Sequence, residues 1–309
     1  MSILFAGTPE NSATTLEALV AAGVPVSVVM TREDAPVGRK RIITPSPVAQ
    51  VAERLSIPLV KTNRVDKQTL AEIGKYQPAL AIVVAFGALL KEDALDSIPG
   101  GWFNLHYSLL PKWRGAAPVQ WSIFHGDRET GVSVFKIDTG LDTGPVLLQV
   151  PTLIEPGENA SRLLARLTQL GISALLEVVP KLLAGISLAQ PQSQSGVSLA
   201  PKPTREDAFV DFHSSAVDTE NQINGMNFEP GAWTSLNGEP FKLLEVTVNH
   251  SASNLSEGEV GVIDNSVVVG CRASSLRLLD VQPSGKSRMS ALDWFRGLKS
   301  DTVRLGRDD

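Results

Sequence analysis

The chain has 309 residues and a mass of 33.0 kDa, long for one domain, so two domains are expected. Hydrophobic residues make up 43% and charged residues 20%, the balance of an ordinary globular fold; a net charge of -5 and a pI near 5.5 exclude a generally basic nucleic-acid binder and leave any RNA contact to local patches. A single cysteine, Cys271, excludes an intrachain disulfide and fits a reducing compartment, and four histidines without Cys-x-x-Cys or His-Glu-x-x-His give a metal site no support.

Ile3-Leu4-Phe5, the turn Ala6-Gly7-Thr8-Pro9 and an apolar pattern through Leu16, Leu19 and Val20 predict a β-turn-α opening that Gly23 ends. The turn lacks the second and third glycines of a pyrophosphate-binding fingerprint, so a dinucleotide cofactor is not expected. A strand starting at Ile3 leaves no room for a signal or transit peptide. No apolar run approaches the roughly 20 residues of a membrane span. The expectation is a cytoplasmic protein without a membrane partner.

Residues 26–30 form the second predicted strand. The stretch 32–44 follows without periodicity, interrupted by Pro36 and Gly38 and carrying the basic triplet Arg39-Lys40-Arg41; it reads as a long, structureless connection of the kind that is functional or disordered. Ser46-Pro47 supplies an N-cap and first helical residue for a helix through Val51 and Leu55. A short strand at Leu59-Val60 and a helix over 66–74 come next. The continuous apolar run 79–85 predicts a central parallel strand covered on both faces, ended by Phe86-Gly87.

Gly100-Gly101 turns the chain into a strand at Trp102 and Phe103 that continues to Asn104-Leu105-His106. Side chains two apart on a strand share a face, which sets the Asn104 amide beside the His106 imidazole. The following Leu109 to Pro118, broken by Pro111, Gly115 and Pro118, is too interrupted for regular structure and too apolar for a solvated loop, so it is expected to fold back over the site. A helix is predicted over 119–124, strands over 131–137 and 146–150. Between those strands lies Asp138-Thr139-Gly140-Leu141-Asp142-Thr143-Gly144-Pro145, a glycine-bracketed loop that presents a carboxylate. An isolated Asn-x-His or Gly-x-Asp-x-Gly is most often structural. Together, an imidazole, an amide and a carboxylate with no cysteine nucleophile suggest acyl-type transfer by general base and oxyanion stabilisation.

A long amphipathic helix follows Pro156-Gly157, with Leu163, Leu164, Leu167, Leu170, Leu175, Leu176 and Val179 on its apolar face, and stops at Gly185. The composition then shifts to Gln, Ser, Gly and Pro. This divides the chain into a domain at 1–188, a linker at 189–207 and a second domain at 208–309. In the last, a helix over 219–226 precedes short alternating runs at 233–236, 241–248, 260–263, 267–269 and 276–281, which suggest a small β-barrel of the OB kind, and a helix over 291–298 follows. From Arg205 onward about ten Lys and Arg face about sixteen Asp and Glu, so this half is acidic. Lys286, Arg288, Arg296, Lys299, Arg304 and Arg307 gather near its end, and whether they meet RNA or form a solvated rim stays open.

Asn104-Leu105-His106, the run from Ser108-Leu109-Leu110-Pro111 through Arg114-Gly115-Ala116-Ala117-Pro118, and Gly140-Leu141-Asp142-Thr143-Gly144 together resemble the core signature of the folate-dependent formyltransferases. The chain is most similar to the branch of that family that acts on methionyl-tRNA. The resemblance implies an α/β fold: a Rossmann-like N-terminal formyltransferase domain and a C-terminal OB-like β-barrel. It implies an enzyme that passes the formyl group of 10-formyltetrahydrofolate to the amino group of initiator methionyl-tRNA in translation initiation, without a metal. Catalysis would fall to Asn104, His106 and Asp142, with the proton going to either His106 or Asp142. The folate would be held by Ala85, Phe86 and Gly87, by Ser108, Leu109, Leu110 and Pro111, and by Thr139, Gly140 and Leu141. Relatives often have tyrosine where this chain has Phe86, a difference that backbone binding tolerates. Arg39, Lys40 and Arg41 match the basic inserted loop that enters the acceptor stem, with Arg39 first among them. Around 224–230 the chain departs from the family's arginine and proline-tryptophan pattern. Nothing in the sequence demands a dimer, so a monomer is expected. Formyltransferases of amino sugar nucleotides or of glycinamide ribonucleotide share the core without the basic loop, and a non-catalytic nucleotide- or RNA-binding protein is the alternative outside enzymes.

Overall fold

The structure is a computed structural model and describes residues 1–38, 40–186, 189–298 and 303–307. The chain forms two compact units. The first comprises Met1–Pro118, Thr130–Thr152 and Leu164–Leu199, and the second Val119–Glu129, Leu153–Leu163 and Ala200–Asp309. Leu188, at which the sequence pattern ends the first domain, lies outside the described residues.

The first unit is Rossmann-like. It opens with β1 (Ile3–Gly7), α1 (Glu10–Ala21), β2 (Val26–Thr31), β3 (Ala35–Val37), β4 (Ile42–Thr44), α2 (Pro47–Arg54), β5 (Leu59–Lys61) and α3 (Lys67–Gly74). The chain continues with β6 (Leu80–Val84), α4 (Glu92–Leu95), β7 (Trp102–His106), β8 (Arg114–Gly115), α5 (Pro118–Phe124), β9 (Glu129–Lys136), β10 (Val146–Leu153), α6 (Ala160–Leu183) and β11 (Leu199–Ala200); of these, α5 after Pro118 and the first residues of α6 count with the second unit. Seven strands make one sheet in the order β10-β9-β7-β6-β1-β2-β5. β5, β2, β1, β6 and β7 run parallel, and β9 turns antiparallel against β7. The parallel strands are buried on both faces, so their apolar residues are nearly continuous. Leu4, Ala6, Met30, Ala81, Val83 and Trp102 share one core with Ile73 of α3; Ile3, Phe5, Val29 and Ile82, of opposite pleat, are buried too. Burial of each large side chain contributes about 1.5–3 kcal/mol.

The helices start where the sequence supplies caps. Ser46 Oγ accepts from Ala49 N at 3.0 Å ahead of Pro47, and Asp66 Oδ1 accepts from Thr69 N at 3.0 Å. α6 is long and apolar enough to cross a membrane by length and composition, contrary to the expectation that no such run exists; half of its most apolar window is buried in the fold, as in a core helix. At Gly171 on this helix, a Cβ would stand 2.5 Å from Leu105 Cδ2. The close approach presses α6 onto the face of β7 opposite Asn104 and His106.

One stretch departs from its reading. Residues 32–44 contain the hairpin β3–β4, with Ala35, Pro36 and Val37 opposite Thr44, Ile43 and Ile42. Pro36 is tolerated because a two-stranded ribbon leaves one edge of each strand unpaired. Gly38 at φ 70° and Arg41 at φ 49° make the turn, where Arg41 N donates to Gly38 O at 3.1 Å.

The second unit contains α7 (Ala216–Gly225), β12 (Trp233–Leu236), β13 (Glu239–Asn249), β14 (Glu259–Ile263), β15 (Ser266–Cys271), β16 (Ser274–Pro283), β17 (Met289–Ser290), α8 (Ala291–Arg296) and β18 (Val303–Arg304). Its antiparallel strands follow the order β12-β13-β16-β15-β14-β18 and curl into an OB-like half-barrel. Gly306 N donates to Ser235 O at 3.0 Å, tying the far edge back to β12. Phe241 and Trp294 pack ring to ring at 4.6 Å in a core shared with Phe212, Ile223, Val269 and Leu276. α7 begins earlier than the apolar pattern suggests because Ser215 Oγ caps it, accepting from Asp218 N at 3.2 Å. Of the basic residues near the end of this unit, Lys299 lies outside the described residues.

Candidate active site

The parallel strands deliver their C-terminal ends to one edge of the sheet, where ligands of open α/β folds bind. There β7 presents Asn104, half-buried, and His106, buried, on one face. The following loop folds back over His106: the ring Nε2 donates to Trp113 O at 2.9 Å, and Phe135 of β9 meets the ring edge-on at 6.3 Å. A carbonyl only accepts, so the neutral ring carries its proton on Nε2 and its lone pair on Nδ1. Nδ1 faces Asp142 Oδ2 at 3.7 Å. Burial pushes the imidazole below its ordinary range, while the Asp142 carboxylate and the Trp113 carbonyl pull the other way.

Asp142 sits in the left-handed region at φ 51°. Gly115 N donates to its Oδ2 at 2.7 Å. Gln192 Nε2 donates to Asp142 O at 2.7 Å and to Gly144 O at 2.8 Å, while Gln192 Oε1 accepts from Arg114 Nε at 3.1 Å and Nη2 at 2.7 Å. Within the same loop, Asp138 Oδ1 accepts from Gly140 N at 3.0 Å and from Thr143 Oγ1 at 2.6 Å. Thr139, Gly140 and Leu141 form its exposed tip, with Leu141 57% accessible, open to a ligand.

The other two segments expected to hold the folate are built differently. Ser108 and Leu110 are buried; Leu109 and Pro111 are half-buried. Ser108 Oγ donates to Lys112 O at 2.5 Å, Ser133 Oγ donates to Ser108 O at 2.6 Å, Leu110 N donates to Ser133 Oγ at 3.0 Å and Gln149 Nε2 donates to Leu110 O at 2.8 Å. These bonds weave the loop onto β9 and β10. The turn after β6 runs through Ala85 at φ 48° and Gly87 at φ 81°. Phe86 points into the core, 2% exposed, so the turn offers its backbone rather than an aromatic face. Thr8 Oγ1 donates to Phe86 O at 2.9 Å and Arg32 Nη1 to Gly87 O at 2.5 Å, which fixes the turn from two sides.

Beside Gly87 opens a cavity of about 600 Å³ bordered by Arg32, Arg64, Lys67 and Lys91 together with Asp66 and Asp93. A larger cavity of about 800 Å³ lies at the opposite end of the sheet, where Ala79 and Gly100 precede the strands, away from the trio. Lys40 and Arg41 are exposed on the turn of the β3–β4 hairpin; Arg39 lies outside the described residues. Among the described residues no group of three or more His, Cys, Asp or Glu converges as a metal site would require.

Sequence reading missed Trp113, whose carbonyl sets the His106 tautomer, and Gln192, which it assigned to a linker. No local signal marks either, because one acts through its backbone and the other lies 50 residues from the loop it holds.

The profile of the formyl transferase family matches residues 1–179, and that of the formyl transferase C-terminal domain matches residues 202–299. The chain is 44% identical over 298 residues to the methionyl-tRNA formyltransferase of Renibacterium salmoninarum, covering 96% of this chain and 97% of that one. It is also 44% identical over 309 residues to the methionyl-tRNA formyltransferase of Streptomyces avermitilis, covering 99% and 100%. Among solved structures, an N-formyltransferase from Helicobacter canadensis in complex with folinic acid and dTDP-3-aminofucose superposes with a TM-score of 0.70 at 17% identity, over 92% of this chain and 99% of that chain. HypX from Aquifex aeolicus in complex with tetrahydrofolic acid gives 0.67 at 15% identity, over 98% of this chain and 50% of that one. At such identities the two structures speak for the fold alone.

Proposed function

The chain belongs to the formyl transferase family, and from that premise we propose that it formylates the α-amino group of initiator methionyl-tRNA with 10-formyltetrahydrofolate. The observation that carries this reading is the 44% identity, over nearly the whole chain, to relatives bearing that activity in their name. The residues at the sheet edge fit the folate. The Thr139-Gly140-Leu141 tip is exposed, the Ala85-Phe86-Gly87 turn offers backbone groups, and the cations around the adjoining cavity suit the ligand's carboxylates. We assign Arg39, Lys40 and Arg41 to the tRNA on the strength of their basic insertion after β2.

The bound folate supplies the formyl carbon and takes up a proton at N10 as that carbon leaves it. The chain's part is to free the acceptor amine of its proton and to hold the charge that grows on the formyl oxygen under attack. Asn104, beside His106 on β7, donates its amide N–H to that oxygen, a kind of interaction worth about 2.7–4 kcal/mol elsewhere. His106 Nε2 is occupied by the Trp113 carbonyl, so Nδ1 is the atom that receives the amine proton. Asp142 beside it stabilises the imidazolium, and Nδ1 then returns the proton to the leaving nitrogen. The bond from nitrogen to the formyl carbon forms, the bond from that carbon to N10 breaks, and the proton passes from one nitrogen to the other. Supplying all three groups from one chain is compatible with a monomer, and the tRNA substrate fits a cytoplasmic enzyme that works without a membrane.

The test gives the purified protein 10-formyltetrahydrofolate with charged initiator methionyl-tRNA, charged elongator methionyl-tRNA and an amino sugar nucleotide in parallel. Formylation of the initiator alone is expected. Transfer to the sugar and to neither tRNA would overturn the acceptor while keeping the catalytic trio.

A further inference from the structure

The loop that carries Asp142 is gripped from both ends of the residue. Gly115 N–H holds the carboxylate, and Gln192 holds the backbone, its Nε2 reaching the carbonyl oxygens of both Asp142 and Gly144. The opposite end of the same amide, Oε1, accepts two bonds from the Arg114 guanidinium. Arg114 and Gly115 are neighbours in sequence, so a single dipeptide reaches Asp142 twice, directly through Gly115 and by way of Gln192. The segment bearing Gln192 is itself pinned: Gln190 N and O pair with Val146 O and N at 2.8 Å each, and Ser198 O and Oγ accept from Arg114 N and Trp113 N at 2.9 Å each. The Trp113 carbonyl in turn orients His106.

A primary amide is the side chain this geometry requires. Its nitrogen donates to two carbonyls while its oxygen receives a two-pronged guanidinium. A carboxylate keeps the second function and reverses the first, setting acceptor against acceptor under the loop. The grip matters because Asp142 occupies a left-handed backbone conformation, which persists in a non-glycine residue only when its surroundings enforce it.

We infer that Gln192, locked by Arg114, is a positioning residue for Asp142, setting the distance between its carboxylate and His106 Nδ1. This rests on the role given to Asp142 above. The segment 189–199 is thus a strap across the active-site loop as well as a connection between the two halves of the sequence.

The test is steady-state formyl transfer to charged initiator methionyl-tRNA by the full chain and by Gln192→Glu, Arg114→Lys, Asp142→Asn and the double variant Asp142→Asn/Gln192→Glu, with a melting curve for each. Gln192→Glu is expected to lower kcat on the order of 10²-fold, the loss typical of a displaced catalytic group, with KM for both substrates and the melting temperature unmoved. Arg114→Lys, which keeps the charge and loses the fork, should lose kcat in the same direction. Because Gln192 acts through the Asp142 carboxylate, the double variant should be no slower than Asp142→Asn alone. Near-normal kcat in Gln192→Glu alongside an inactive Asp142→Asn overturns the strap and leaves the site reading standing. Losses that multiply in the double variant, or a loss confined to KM or accompanied by melting at lower temperature, also overturn it. Full activity of Asp142→Asn overturns the site reading itself.

Discussion

His106 Nδ1 and Asp142 Oδ2 stand 3.7 Å apart, beyond hydrogen-bonding distance, with the other ring nitrogen committed to the Trp113 carbonyl. With the imidazole neutral and Asp142 a carboxylate, two acceptors face each other across a gap that a proton would close. The pair is therefore poised to take a proton rather than to give one.

Asp142→Asn should lower kcat by about 10²- to 10⁴-fold, the usual worth of the general base assistance that His106 gives only when its imidazolium is stabilised, with tRNA affinity nearly intact. Its effect on pH dependence has a definite sign. The carboxylate raises the His106 pKa against the larger lowering by burial, so removing it lets the pKa fall further. The neutral imidazole then persists to lower pH, and the acid limb of the kcat profile should move to lower pH in the variant. A limb that stays in place would separate that ionisation from His106.

The basic triplet 39–41, whose Lys40 and Arg41 are exposed on the hairpin turn, gives a salt-dependence prediction. Arg39→Ala, Lys40→Ala and Arg41→Ala should each weaken use of charged tRNA and reduce the slope of log affinity against log salt by roughly 0.7–0.9 for every phosphate no longer neutralised. Filter binding between low and moderate salt measures this directly. Unchanged slopes in all three would remove the hairpin from the tRNA interface.

Gly144→Ala probes the loop from its backbone. A Cβ there would stand 1.8 Å from Lys136 O, a main-chain atom of β9 that cannot swing aside. The expected outcome is a loop pushed off the sheet, destabilisation of about 1–3 kcal/mol as in other overpacked sites, and loss of formyl transfer beyond what the stability change accounts for. Denaturant titration and kcat on the same preparation distinguish the two effects.

Cys271, at the end of β15, is buried and its thiol is pushed up to about 11 by burial. The thiolate is the reactive form, so in the native protein a disulfide reagent at neutral pH should label it far more slowly than in urea. Rapid stoichiometric labelling under native conditions would contradict the packing of the β15–β16 core.

Much of this protein was determined by local chemistry that a sequence displays. The near-continuous apolar runs at β1, β2, β6 and β7 follow from a parallel sheet covered on both faces. The caps at Ser46 and Asp66 start their helices because a side-chain oxygen satisfies the first free N–H groups. Asn104 and His106 share a face because a strand repeats every two residues. The motif around Asp142 marks a presented carboxylate because its glycines allow the close turn. Hairpin β3–β4 was not legible, since its strands are three residues each and β3 carries a proline, which is excluded only from a paired edge.

Tertiary structure alone decided what these groups can do together. Which nitrogen of His106 faces the carboxylate depends on the Trp113 carbonyl, seven residues on and returned by a loop. The hold on Asp142 depends on Gln192, in a stretch whose composition reads as a linker, and on Arg114, 78 residues before it. The physical reason is the same in both cases. Backbone carbonyls and single amides carry no periodicity or motif, and their partners are fixed only when distant segments close over one another.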